Sequence, residues 1–183
     1  MTKKIKLKLP LLDDDLKTLQ AGDIALLTGQ VLTARDIAHQ RLCSLLAEKK
    51  ELPINIKGET VYYVGPAPAT KALPIGSAGP TTGGRMDKFT PAQLDYGLKG
   101  IIGKGARSDS VKEALKRNGA VYFAAVGGAG ALLAKKITAA EVIAYEDLGT
   151  EAIRRLTIKD FPVIVVNDIY GNDIYLLREQ RKT

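Results

Sequence analysis

The sequence predicts an α/β domain built on a mixed sheet, and three observations carry that prediction. Short apolar segments, such as Val121 to Val126, alternate with helix-period segments through the second half of the chain. Helix-start signals precede several of the helical segments. Glycine-rich and Asn/Asp turn chemistry separates the elements. The chain has 183 residues, the span of a single domain, read here as 1–183.

The elements follow in order. Lys3 to Leu9 alternates lysine with apolar residues, as a half-exposed edge strand does. Pro10 and the acids Asp13 to Asp15 are expected to break it. Ile24 to Leu32 reads as a strand pair, or one strand bent around Gly29. Thr33-Ala-Arg-Asp36 has capping-box spacing, with Asp in place of Glu, and predicts a helix to about Lys49. Its buried stripe is Ala38, Leu42, Leu45 and Leu46. Thr60 to Val64 is a short strand.

Between Gly65 and Arg85 the composition shifts: four of the eight prolines (Pro66, Pro68, Pro74, Pro80) fall there with five glycines. So long an aperiodic stretch in a compact domain points to function rather than disorder, because a strong helix start follows at once. Thr90-Pro91-Ala-Gln93 supplies a capping Thr, Pro at the first helical position and Gln at the third, for a helix ending near Gly97. Gly100 to Ile102 is a strand, followed by the loop Gly103-Lys104-Gly105. Ser110 starts a helix that ends at Asn118-Gly119. A strand at Val121–Val126, a small-residue helix at Ala131–Lys135, and strands at Ala140–Tyr145 and Pro162–Val166 complete the pattern.

Composition excludes several functions. One Cys (Cys43) and one His (His39) allow no internal disulfide and no Cys/His zinc site. An iron–sulfur cluster held by four thiolates is equally beyond this chain. One cysteine and no recognisable signal peptide point to the cytoplasm. No apolar run approaches 18 residues, so no membrane span is expected. Aromatics are 5% with no Trp, too few for a nucleic-acid stacking platform. The formal charge is +7, and Lys3, Lys4, Lys6, Lys8, Arg178, Arg181 and Lys182 together equal it. Such basic ends are solvated edges or tails; otherwise they attract an anion, nucleic acid or small polycarboxylate.

Glycine loops do not carry a nucleotide motif. The phosphate-loop pattern fails near Lys104, where position 98 is Leu and Gly105 follows the lysine. The dinucleotide pattern fails at Ser108 and again at Leu133. Cation-bearing loops are more informative. Arg35 stands beside a helix start; Thr81-Thr82-Gly83-Gly84-Arg85 joins two hydroxyls, flexible backbone and a guanidinium; Lys104 sits between glycines after a strand. Two Arg and one Lys suit a dicarboxylate. Each also has a plainer reading: Arg35 paired with Asp36, Arg85 paired with Asp87, Lys104 facing solvent. His39 is either a general base or a helix-face histidine with a structural hydrogen bond, and Cys43 reads as a buried small hydrophobe.

Taken together, T-A-R-D-I-A-H (Thr33–His39), S-A-G-P-T-T-G-G-R-M-D (Ser77–Asp87), I-I-G-K-G (Ile101–Gly105) and A-V-Y-F-A-A-V-G-G-A-G-A-L-L (Ala120–Leu133) resemble the class I fumarase family. More narrowly they are similar to its β subunit or C-terminal domain, with the L-tartrate dehydratase β subunit as a close relative. The resemblance covers about Asp23 to Tyr175. It implies a swivelling β/β/α domain and a hydro-lyase that reversibly hydrates fumarate to L-malate. It implies a partner α subunit holding a 4Fe-4S cluster, in a hetero-oligomer, and no cofactor or metal on this chain. Arg35, Arg85 and Lys104 would then bind substrate carboxylates, Gly84 would shape the site, and Thr81 would be the catalytic base for the C3 proton. Asp36, Asp87 and His39 stay open as alternative bases, because a hydroxyl is a poor base unless neighbours lower its pKa. Tartrate dehydration, or a non-catalytic basic module binding anions or nucleic acid, are the competing functions.

Overall fold

The computed structural model describes residues 4–180. Lys3, Arg181 and Lys182, part of the basic ends, lie outside the described residues. Seven strands form one mixed sheet: β1 (Lys4–Lys8), β2 (Ile24–Thr33), β3 (Thr60–Tyr62), β4 (Gly100–Gly103), β5 (Val121–Ala124), β6 (Ile137–Ala144) and β7 (Ile153–Asn167). Their order is β1-β2-β3-β4-β5-β7-β6, and β2 also pairs with β7, so β2 to β5 and β7 close into a barrel-like ring. β1 to β5 run parallel. β7 runs antiparallel to β2, β5 and β6. The α/β class with a mixed sheet is therefore observed.

Side-chain alternation divides the core between the two faces of the sheet. Tyr62, Ile102 and Phe123 point to one face, with Leu16 of α1 (Asp13–Thr18) and Leu133 of α5 (Gly130–Ala134). Tyr63, Ile101 and Tyr122 point to the other. There they meet Leu42 of α2 (Asp36–Ala47), Leu94 of α3 (Thr90–Tyr96), Val111 and Leu115 of α4 (Asp109–Arg117), and Ile174 of α6 (Ile174–Gln180). β4 and β5 are buried on both faces, which explains their unbroken apolar sequences. β1 is the expected edge strand, with Lys4, Lys6 and Lys8 exposed and Leu7 buried. β2 is one strand whose register shifts between Leu27 and Gly29, the bent-strand alternative.

Several boundaries differ from the sequence reading. Asp13 to Asp15 do not merely break β1; they are the acidic first turn of α1, where the Asp15 carboxylate accepts the Leu12 N–H at 3.1 Å. Thr33 stays in β2, and its hydroxyl accepts the Arg154 N–H, so Arg35 occupies the α2 N-cap position. α4 begins one residue early, with Ser108 as its N-cap. Thr90 is the first residue of α3 rather than its cap, because its hydroxyl donates to the Met86 carbonyl. The strand expected at Pro162–Val166 is the end of the 15-residue β7, and the one expected at Ala140–Tyr145 begins at Ile137. α6 was not anticipated at all.

Candidate active site

The C-terminal ends of the parallel strands share one side of the sheet. Arg35 follows β2, Gly65 lies beyond β3, Lys104 follows β4, and Val126 to Gly128 lie beyond β5. In open α/β sheets this is where ligands bind. Here the crevice has a specific origin. β3 and β4 are paired through Tyr62 and Ile102, and the Tyr63 N–H still reaches the Ile102 carbonyl. Beyond that point the Thr81–Thr82 backbone wedges between them. Thr81 donates its N–H to the Tyr63 carbonyl at 2.7 Å, and its own carbonyl accepts the Lys104 N–H at 3.2 Å. Gly83 then donates to the Lys104 carbonyl at 2.7 Å. The Pro/Gly-rich segment thus ends in a single parallel β-bridge, Thr82 to Lys104, and its aperiodic sequence reflects pairing with distant partners.

This wedge brings Thr81 and Lys104 together through the backbone. Lys104 is exposed, and its chain runs past Gly127, where a Cβ would stand 3.6 Å from the Lys104 Cδ. Thr81 is half-buried, and its hydroxyl makes no hydrogen bond among the described residues. Residues Gly83 to Met86 form a single 3-10 turn that carries Arg85. Gly84 is exposed, and an added Cβ would meet nothing closer than 4.0 Å, so it leaves open space.

Arg35 and Arg85 meet at one carboxylate. Arg85 clamps Asp36 with two hydrogen bonds, Nε to Oδ1 at 3.2 Å and Nη2 to Oδ2 at 2.8 Å. The same Oδ2 lies 3.8 Å from Arg35 Nη2. The plainer reading of Arg35 is therefore partly right, while the expected Arg85–Asp87 pair is not formed. Asp87 is turned inward onto Arg107, leaving Asp36 as the acid within Arg85's reach. Arg35 passes against the Gly65 backbone, where a Cβ would fall 2.8 Å from its Nη1. Its Nε is buried, makes no hydrogen bond, and lies 4.0 Å from Glu151, whose other oxygen accepts the Ile37 N–H.

The other candidates face inward. His39 is fully buried and contacts Gln93 through Nδ1 at 2.7 Å, while its Nε2 has no hydrogen-bond partner. Burial, reinforced by the Arg107 charge and only partly opposed by the Gln93 contact, lowers its pKa to about 4. It is buried and presents no nitrogen to solvent. Cys43 is half-buried rather than buried, with its thiol toward the Phe89 carbonyl at 3.4 Å, and desolvation raises its pKa.

Sequence reasoning missed Arg107. Its side chain has no exposed surface, yet it is an arginine in an unremarkable Ala-Arg-Ser context. It donates Nε to Asp87 at 2.7 Å and Nη2 to the Thr90 hydroxyl at 2.8 Å, and lies over the Tyr122 and Tyr63 rings. Burial opposes its charge, but the oxygens of Tyr63, Asp87 and Tyr122 raise its pKa on balance. No sequence signal marks this site, since its hydrogen-bond partners lie 17 and 20 positions away.

Among the described residues no group of three His, Cys, Asp or Glu side chains is placed to hold a metal. No helix among them is long and apolar enough to cross a membrane. At the rim made by the candidate residues, Arg85 and Lys104 are exposed, while Arg35 and Asp36 are partly buried.

Comparison with known proteins gives the arrangement its context. The family described as Fumarase C-terminus matches residues 1–177. The anaerobic class I fumarate hydratase of Escherichia coli (strain K12) is 42% identical over 151 residues, 81% of this chain and 28% of that protein. Fumarate hydratase 2 of Leishmania major is 36% identical over 176 residues, 94% of this chain and 31% of that protein. A putative L(+)-tartrate dehydratase subunit beta of Methanocaldococcus jannaschii is 34% identical over 167 residues, 88% of this chain and 86% of that protein. The chain thus spans under a third of the fumarate hydratases it matches and most of the β subunit.

Proposed function

Because the chain belongs to the fumarase C-terminal family, we propose that it is the β-subunit half of a cytoplasmic hydro-lyase that interconverts fumarate and L-malate. The observation that carries this reading is the rim. Arg35 and Arg85 meet at Asp36, and the Thr81–Lys104 backbone pairing lies on the same side of the sheet, an arrangement suited to half a site that a second chain completes. The chain's one cysteine cannot supply the several thiolates that a cluster needs, so on this reading a 4Fe-4S cluster belongs to a partner α subunit.

The residues here have separable tasks. Arg35 and Arg85 each present a planar fork that can hold a substrate carboxylate through two bonds. Arg85 exchanges its exposed Asp36 partner for the substrate, a small loss because exposed pairs contribute about 0–1 kcal/mol. Lys104 adds a point charge. In dehydration, Thr81 takes the C3 proton, the C3–H electron pair forms the double bond, and hydroxide leaves C2. Negative charge developing toward the carboxylate is stabilised by the fixed cations. The same cations favour the deprotonated form of the Thr81 hydroxyl. Gly84 leaves room for the diacid beside the turn.

A second reading, tartrate dehydration, is favoured by one observation: the matching tartrate dehydratase β subunit is a chain of similar length. Against a nucleic-acid module stands the burial of Tyr62, Tyr63, Tyr122, Phe123 and Phe161, which removes them from stacking. The test is anaerobic mixing with the cluster-bearing partner, followed by turnover of malate and of tartrate. This chain alone should be colourless and inactive, and malate should be turned over after mixing. A brown, active preparation of this chain alone overturns the reading, and tartrate turnover without malate turnover selects the alternative.

A further inference from the structure

We propose that Arg107 is a positioning residue for this reaction, holding the turn between Thr81 and Arg85 in register with Lys104 while touching no substrate; the inference rests on the hydro-lyase reading. Its guanidinium joins two segments that have no other charged link among the described residues. From below the turn it is in tight contact with Gly83, where a Cβ would fall 2.9 Å from the Arg107 Cδ and 2.7 Å from the Tyr122 hydroxyl. Ahead of it, Asp87 accepts Arg107 Nε on one oxygen and the Ser108 N–H on the other, both at 2.7 Å. The Tyr122 hydroxyl donates to the Gly105 carbonyl at 3.1 Å, and the Gly83 N–H donates to the Lys104 carbonyl. The turn carrying Arg85 and the loop carrying Lys104 are therefore tied at both ends of one buried side chain.

The chemistry requires arginine at this position. One planar group donates to Asp87 and to Thr90 in different directions while its charge lies 4.6 Å from the Tyr122 ring centre and 5.4 Å from that of Tyr63. A lysine keeps the charge but can supply neither the fork nor the flat faces. The long exposed side chains of Arg85 and Lys104 can follow a substrate carboxylate through a small shift. Proton transfer to Thr81 cannot, since a 1 Å misplacement costs roughly 10²-fold in rate.

The experiment is Arg107→Lys in the full chain assembled with its partner. Turnover of malate should fall roughly 10²-fold. The kinetic isotope effect with C3-deuterated malate should rise above the parent's, because proton transfer becomes more rate-limiting. Amide exchange at Gly83 and Ser108 should quicken. A variant that merely assembles less well loses turnover with the isotope effect unchanged, and that result, or parental turnover, overturns the proposal. Asp87→Asn loosens the same clamp at constant volume and should show the same signs more weakly, which covers a lysine variant that fails to fold. An inactive parent assembly overturns the hydro-lyase reading, whereas unchanged exchange at Gly83 and Ser108 in a folded variant overturns the clamp itself.

Discussion

Two carboxylates, Asp36 at the start of α2 and Asp87 at the end of the 3-10 turn that carries Arg85, illustrate how one site holds charges in different settings. Asp36 sits at the rim, about one-third exposed, paired with Arg85, which is half exposed. Asp87 sits beneath, paired with an arginine that has no exposed surface. Asp36 takes the Arg85 fork through two bonds, whereas Asp87 takes one bond from Arg107 and gives its other oxygen to the Ser108 N–H. At the rim, water can replace either partner, so the pair contributes little and can open for a substrate. Asp87 is only 17% exposed and Arg107 is wholly buried, so parting them would strand a buried cation, and the turn above keeps its place. The difference separates binding from positioning: the same chemistry serves one task when wet and the other when dry.

The sharpest test of the contrast removes each carboxylate in turn. Asp87→Ala strands a buried cation and should destabilise the chain by about 3–5 kcal/mol in urea unfolding. Asp36→Ala should cost less than about 1 kcal/mol, the exposed-pair range, in the same assay. Equal losses would erase the distinction between rim and interior.

His39 offers an independent test of the dry layer. Its pKa is about 4 in the folded chain, against an ordinary value of 6.5. The unfolded chain therefore binds more protons between these values, and stability should fall as pH drops from 6.5 toward 4 and be unaffected by this group above that window. The loss should reach about 3 kcal/mol. Unfolding free energies across pH 4 to 7 check it, and His39→Gln should flatten that part of the slope. A slope unchanged in the variant would mean that His39 is not the group responsible.

At the rim, Arg35→Lys keeps the charge and loses the fork. The expected penalty is about 1–3 kcal/mol in kcat/KM for malate, with the fold intact. If Arg35 served only to pair with Asp36, steady-state kinetics would match the parent's.

The sequence and the structure agree wherever information is local. The Thr90-Pro91 helix start, the Asn118-Gly119 stop and the Lys-alternating edge of β1 all lie where short-range chemistry places them, to within a residue or two. The misses are of one kind. β7 runs through Lys159-Asp160, where Asp160 has a φ of 47°, and through Pro162, so its pattern looks interrupted although its pairings with β2 continue on both sides. The triple-Asp segment reads as a breaker but serves as the favourable acidic end of α1. The loops bearing Arg35, Thr81, Arg85 and Lys104 could be picked out by composition. Their partners could not, because Asp87 is the nearer acid to Arg85 along the chain, yet the fold pairs Arg85 with Asp36, 49 positions away, and gives Asp87 to Arg107. Arg107 is the limiting case, since the residues around it, Gly83, Asp87, Thr90, Tyr63 and Tyr122, all come from other segments of the chain.

On the proposed function, this chain supplies the proton acceptor, Thr81, on the side of the sheet that carries Arg35, Arg85 and Lys104. Solvent-deuterium exchange into C3 of malate by the assembled enzyme tests it most directly. The parent should exchange that proton, Thr81→Ser should retain measurable exchange, and Thr81→Ala should lose it by about 10²–10⁴-fold, the range for a general base. Exchange by Thr81→Ala as fast as by the parent would contradict the claim.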